Sequence, residues 1–371
     1  MKRYIYEYEQ WPDFYWEHRF ISSVFGQVRI KQGLLIGHMN ALGFSHKNET
    51  VLTSLTMDVV KSSEIEGEFL SYEQVRSSIA RRLGINTAGL VNSTRHIDGV
   101  VSMLLDATQN YSQPITEKRL FGWHASLFPT GYSGNLSIEV GKYRTGEMQI
   151  VSGPIGKEKV HYEAIKASQV KKEMKVFLNW LNNENELDLV LKAAIAHFWF
   201  IIIHPFDDGN GRIARAITDL LLARSENSGE RFYSMSNQIL KERKKYYQIL
   251  QQVQHSTGDI TEWVVWFMDC LKNSIDATEY TTQRIIQKAV FWKKYDKTSF
   301  NERQRLVLNK LLDGFEGKLQ TSKWAKITKT SNDTALRDIK DLIQKGILKQ
   351  TKEGGRNSNY ELKKVKLKNS F

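Results

Sequence analysis

One stretch constrains this chain more than any other: residues 193–224, AAIAHFWFIIIHPFDDGNGRIARAITDLLLAR. Its first eleven residues are apolar except for His197, and a run apolar on every side reads as a core helix. Pro205 disfavours α backbone at His204, so that helix ends there with the imidazole at its rim. Ile213, Ile217, Leu220, Leu221 and Leu222 then recur at the spacing of an amphipathic helix. Two helices therefore hold a polar turn between them, Asp207-Asp208-Gly209-Asn210-Gly211. A chain with this pair at its centre is organised around packed helices.

The chemistry of the turn follows from its residue types. Gly209 and Gly211 allow backbone conformations closed to other residues and let a ligand approach closely. The second helix begins near Asn210, so its unpaired N–H groups and dipole favour an anion, best matched by phosphate. Arg212 and Arg215 are neighbours on that helix surface, and their forked donors suit phosphate oxygens. Asp208 offers the hard oxygen that magnesium takes beside substrate phosphates. His204, with an unperturbed imidazole pKa of ~6.5, supplies a base. An EF-hand is excluded because the alternating acidic ligands and the twelfth-position Glu are absent, and a P-loop because no Gly-Lys-Ser/Thr follows. Phosphoryl or nucleotidyl transfer is the chemistry these groups suit.

Read as His-Pro-Phe-x-Asp-Gly-Asn-Gly-Arg-x-x-Arg, residues 204–215 resemble the signature of the Fic family at every defined position. The resemblance implies a mainly α fold, a Fic-type helical core with a small β-hairpin flap. It also implies transfer of AMP from ATP to a Ser, Thr or Tyr hydroxyl of a target protein, this chain included, with release of pyrophosphate. On that likeness His204 is the general base and Asp208 holds Mg²⁺. Gly209, Asn210, Gly211, Arg212, Ile213 and Ala214 make the nucleotide cradle, and Arg215 holds the γ-phosphate.

Two other stretches gain weight beside it. Ser62 and Glu66 are four apart on one helix face, and Gly67 is a helix stop. Ser-x-x-x-Glu-Gly resembles the family's inhibitory motif, in which the glutamate pairs with the second arginine, here Arg215. The same carboxylate could instead orient a water for the reverse reaction, removal of AMP. By likeness, Tyr246, Tyr247 and Gln254 line the adenine pocket. Five glycines break the helical pattern over residues 131–153, where Met148, Gln149 and Ile150 lie in a short strand. The resemblance makes that strand a flap that docks the target's main chain.

The remaining chain reads as helices over 13–43, 48–70, 71–83, 96–108, 116–128, 161–183, 236–254 and 257–282, with a polar helical connector to 297. Beyond it come short helices at 305–312, 322–327 and 333–345, then strands near 346–350 and 360–362 around a turn at 354–357. That order resembles a winged helix. The expected division is an N-terminal helical region at 1–105 carrying the inhibitory motif, a catalytic core at 106–280 and a winged-helix-like domain at 300–366. Residues 300–371 hold 17 lysines and arginines against eight aspartates and glutamates, +9 of the chain's +12. This surface suits DNA or a docked protein, a second copy of the chain among them, and a DNA-binding regulator sensing nucleotide is the alternative function. No run reaches the ~20 apolar residues of a membrane span. No signal-peptide pattern opens the chain, and the single cysteine, Cys270, fits a reducing cytoplasm.

Overall fold

Apolar spacing and side-chain caps account for most of the backbone. The structure is a computed structural model, and it describes residues 3–41, 44–85, 89–152, 159–312, 315, 317–351 and 358–363. Gly153, the expected turn at 354–357 and residues 364–366 lie outside them. Helix α1 spans His18–Ala41, α2 Phe44–Ile65 and α3 Tyr72–Leu83. Ser71 caps α3 by accepting from the Gln74 N–H, and Gly84 ends it in left-handed backbone. Thr94 and Thr116 cap α4 (Arg95–Gln109) and α5 (Glu117–Leu127) in the same way.

Two antiparallel hairpins follow: β1 (Tyr132–Ser133) with β2 (Leu136–Ser137), then β3 (Gln149–Ser152) with β4 (Lys159–Glu163). In the second, Gln149 faces Glu163 and Ile150 faces Tyr162. The helix expected from residue 161 therefore starts only at α6 (Ala167–Asn183). Next come α7 (Leu189–Ile203), α8 (Asn210–Glu226), α9 (Met235–Lys241), α10 (Arg243–Val253) and α11 (Thr261–Lys294). The single helix expected over 236–254 breaks at Glu242, whose carboxylate accepts from Trp266 Nε1 at 3.0 Å and Gln238 Nε2 at 2.6 Å. The helix and connector expected after residue 257 are one continuous helix, α11.

Met1–Thr278 forms one compact unit and Glu279–Phe371 a second. In the first unit α7 is the central beam: Phe198, Phe200 and Ile203 are completely buried, as are Ile213, Ile217, Leu220 and Leu221 on α8. The N-terminal aromatics pack onto the same core, with Trp11 against Trp199 at 6.1 Å and Phe14 against Phe198 at 5.8 Å between ring centroids. Packing therefore shows no boundary at residue 105. The second unit holds α12 (Glu302–Leu312), α13 (Thr321–Thr328) and α14 (Asn332–Gln344), then the antiparallel pair β5 (Leu348–Gln350) and β6 (Tyr360–Leu362). Its own core is built on Trp324, Leu308, Ile339 and Leu342. Among the described residues no helix is long and apolar enough to cross a membrane.

Candidate active site

The turn between α7 and α8 is held from every side. His204 ends α7 in left-handed backbone, φ 50°, and its N–H still closes on the Phe200 carbonyl at 3.0 Å. Such backbone is costly for a residue with a Cβ. Asn210 reaches back and takes both backbone groups of Phe206, accepting from its N–H at 3.0 Å and donating to its carbonyl at 2.8 Å. The Asn210 side chain is thus structural, and only its backbone faces a ligand position. Gly209 needs to be glycine twice over: its φ is 80°, and a Cβ would sit 2.9 Å from the Phe128 ring. Asp207 accepts from the Glu139 N–H, and Asp208 from Ser133 Oγ and the Gly209 N–H.

His124 is completely buried and stacks on Phe206, 4.3 Å between ring centroids. The Gly141 N–H donates to its Nδ1, so its Nε2–H donates to the Asp208 carbonyl. Burial pushes this imidazole down to about 4. His204 is pushed to about 4 as well, by burial first and by the Arg144 charge, against the opposing carboxylates of Glu66 and Asp208. Its Nδ1 faces the Ile201 carbonyl at 3.3 Å, a position that only a ring N–H can use, and this leaves Nε2 free to accept a proton.

The end of α2 occupies the arginines. Arg215 is almost completely buried and donates through Nε to Ser62 Oγ at 2.8 Å, and through Nη2 to the Ser62 carbonyl at 2.9 Å and Glu66 Oε1 at 2.7 Å. Burial opposes the guanidinium charge, but Glu66 more than restores it. Gly67 then reverses the chain at φ 84° and brings back a second carboxylate. Glu68 Oε2 accepts from Arg212 Nη1 at 3.0 Å, while Glu68 Oε1 meets His96 Nε2. Burial raises the Glu68 carboxyl, and His96 and Arg212 bring it below the usual range. Gly211 is the point of closest approach: a Cβ there would collide with Glu66 Oε1 and lie 3.2 Å from Arg215 Nη1.

A cavity of about 740 Å³ opens beside this arrangement, lined by Glu66, His204, Gly211, Ile150, Tyr246 and Gln254 among others. That is room for a nucleotide-sized ligand. Tyr247 shares the wall, with the Arg243 guanidinium 5.4 Å from its ring centre. Tyr246 gives its hydroxyl proton to His197 Nε2 at 3.0 Å. His197 Nδ1–H in turn meets Thr218 Oγ1, whose own proton goes to the Ala214 carbonyl. Gln254 donates to the His161 carbonyl at 2.8 Å, tying the cavity floor to β4. On β3, Ile150 is partly exposed, Gln149 bonds Glu163, and just before the strand Met148 packs on the core. Ile213 and Ala214 turn their side chains into the core, and the Ile213 N–H is already bonded to the Gly209 carbonyl. Neither residue presents a side chain to the cavity.

Residues 114–222 match the Fic/DOC family profile. Over that stretch, which takes in the whole turn between α7 and α8, the chain is similar to the Fic/DOC family. Residues 4–85 match a second profile, Domain of unknown function (DUF4172), which takes in the turn that carries Ser62, Glu66 and Glu68. A protein adenylyltransferase Fic of Nematostella vectensis is 24% identical over 225 residues, 59% of this chain and 47% of the relative. One of Drosophila virilis is 26% identical over 238 residues, 62% and 44% of the two chains. This chain thus spans less than half the length of those relatives. A crystal structure of a Fic family protein from Desulfovibrio desulfuricans G20 matches at TM-score 0.51 and 22% identity, over 93% of this chain and 96% of that one, a likeness of fold.

The Fic loop also fits Mg²⁺ carried in with phosphates. Among the described residues no group of three His, Cys, Asp or Glu side chains could hold a metal alone, and magnesium beside a triphosphate needs only one or two carboxylates. Two buried nitrogens, Arg212 Nε and Arg215 Nη1, have no hydrogen-bond partner, which suits an incoming anion. Glu68, His96 and Arg144 escaped the sequence reading. Glu68 lies two residues past Glu66, and that spacing was the one available signal for it.

Proposed function

We propose that this Fic protein is a Mg²⁺-dependent protein adenylyltransferase that inhibits itself, passing AMP from ATP to a Ser, Thr or Tyr hydroxyl. The observation that carries the reading is Arg215, gripped by Ser62 and by Glu66, whose carboxylate lines the same cavity as His204. In the transfer, His204 Nε2 takes the proton of the acceptor hydroxyl as its oxygen bonds to the α-phosphorus. The bond from that phosphorus to the oxygen bridging to the β-phosphate breaks, and pyrophosphate leaves with the electron pair. Arg212, Arg215 and the N–H groups opening α8 stabilise the phosphate charge. Mg²⁺, held by Asp208, supplies further charge neutralisation when bound. Tyr246, Tyr247 and Gln254 enclose the base, and the β3 edge at Met148, Gln149 and Ile150 pairs with the target's main chain.

Inhibition is double on this reading. Glu66 takes Arg215 and Glu68 takes Arg212, so both guanidinium groups that a triphosphate needs are engaged by one turn. The names of the curated relatives support the activity. The test is incubation with α-labelled ATP and Mg²⁺. Glu66→Gly should label a protein at least ~10-fold faster than the parent, the loss of ~1.4 kcal/mol of competition being enough. Glu66→Gly/Glu68→Gln should label faster still, and Glu66→Gly/His204→Ala not at all. Undiminished label in the last variant overturns the reading. The cavity position of Glu66 supports one second reading, hydrolytic removal of AMP, in which Glu66→Gly abolishes AMP release instead of unleashing transfer.

A further inference from the structure

Arg144 has no part in the motifs, yet its guanidinium makes three hydrogen bonds beside His204. It is 2% exposed. Its Nε donates to the His204 carbonyl at 2.8 Å, and its backbone N–H donates to the Pro205 carbonyl at 2.9 Å. Its Nη1 donates to the Gly146 carbonyl at 2.8 Å, and its Nη2 to the Ile165 carbonyl. Gly146 lies just before β3 and Ile165 just after β4, so the guanidinium spans both stems of the flap. Among the described residues it makes no ion pair. Its charge is met by three carbonyl dipoles, with Glu147, Asp207, Tyr6 and Tyr162 the titratable groups near it.

We infer that Arg144 is the positioning residue for His204, locking the histidine's left-handed backbone to the two stems of the β3–β4 hairpin. A residue with a Cβ does not hold φ 50° unaided, since the conformation costs about 1–2 kcal/mol. The carbonyl it turns out of α7 has lost its helical partner and is partly buried, so a donor stabilises it. Arg144 is that donor, and Asn210 completes the turn by holding Phe206. Each of the three guanidinium nitrogens serves a different carbonyl from a rigid plane, a spread that the single nitrogen of an ammonium on a flexible stem does not reproduce. The same cation favours the neutral imidazole, adding to burial, while Glu66 and Asp208 pull the other way. One side chain thereby sets where the base sits and couples it to the strand that would hold the target.

This inference rests on His204 being the base of the proposed transfer, so its test has two arms. In the Glu66→Gly background, Arg144→Lys and Arg144→Met are compared for transfer from α-labelled ATP across pH, with thermal melting to confirm folding. Both should lose roughly 100-fold in kcat with KM for ATP within about twofold, as a small displacement of a base does. The acid limb should move to higher pH in Arg144→Met, because losing the cation raises the imidazole pKa, and stay nearer the parent in Arg144→Lys. Equal losses in kcat/KM through KM, or no displacement of the limb, would leave a merely structural arginine and overturn the inference. The second arm follows the His204 ring by NMR titration in otherwise unaltered protein. If Glu66→Gly transfers nothing, the functional reading falls, and an unmoved His204 titration in Arg144→Met overturns the positioning role independently.

Discussion

At single residues the constraint that bears most directly on the site is Gly211, where any β-carbon meets the Glu66 carboxylate. Gly211→Ala should cost about 1–2 kcal/mol of stability in the parent and little in a Glu66→Gly background, a coupling readable by denaturant melts as a double-mutant cycle. His197 permits a pH prediction. Burial holds it neutral down to about 3, below its unfolded value of ~6.5. Its stabilising contribution is therefore complete above pH ~6.5 and lost as pH falls from there towards 3. The melting temperature of the parent should fall more steeply between pH 7 and 4.5 than that of His197→Gln; equal slopes would refute the assignment. His204 through Arg215 stood out in sequence as one contiguous motif, and Ser62 with Glu66 as a second short pattern that the structure brings to Arg215. Arg144 and Glu68 did not stand out, because they meet His204 and Arg212 across 60 and 144 positions without belonging to any recurrent pattern of residues.

At the level of elements, the end of α2 is the working part. Ile65 closes the helix, Gly67 reverses the chain, and Glu66 and Glu68 emerge on either side of that glycine. Gly67→Ala should strain the reversal by about 1 kcal/mol. It should also loosen Glu68 from Arg212, seen as faster labelling from α-labelled ATP; unchanged labelling would show that the second pair does not restrain the site. Local side chains fix several helix starts: Ser71 accepts from the Gln74 N–H, and Thr94 and Thr116 cap α4 and α5. β4 was missed because its buried Tyr162 offers too short an alternation before the helical spacing of Val170, Met174 and Phe177 begins. The break between α9 and α10 depends on Trp266 drawing the Glu242 carboxylate from a distant helix, which no local pattern announces.

Across the whole molecule the two units have separate hydrophobic cores. Calorimetry should therefore resolve two transitions, and Trp324→Ala, which removes a completely buried ring at a cost of about 3–5 kcal/mol, should lower one and spare the other. A single transition displaced as a whole would contradict this independence. The basic segment beginning near residue 300 falls inside the second unit, which starts at Glu279, and the cluster of aromatics from Tyr4 to Phe20 was the sequence's sign that the N-terminal stretch packs on the core. The burial of α7 has one more consequence. Its amides can trade their protons with solvent only when the entire first unit opens, while those of residues 66–70 sit on a half-exposed bend. Deuterium should thus reach the bend long before it reaches α7, and the restraint can come and go over a scaffold that never loosens.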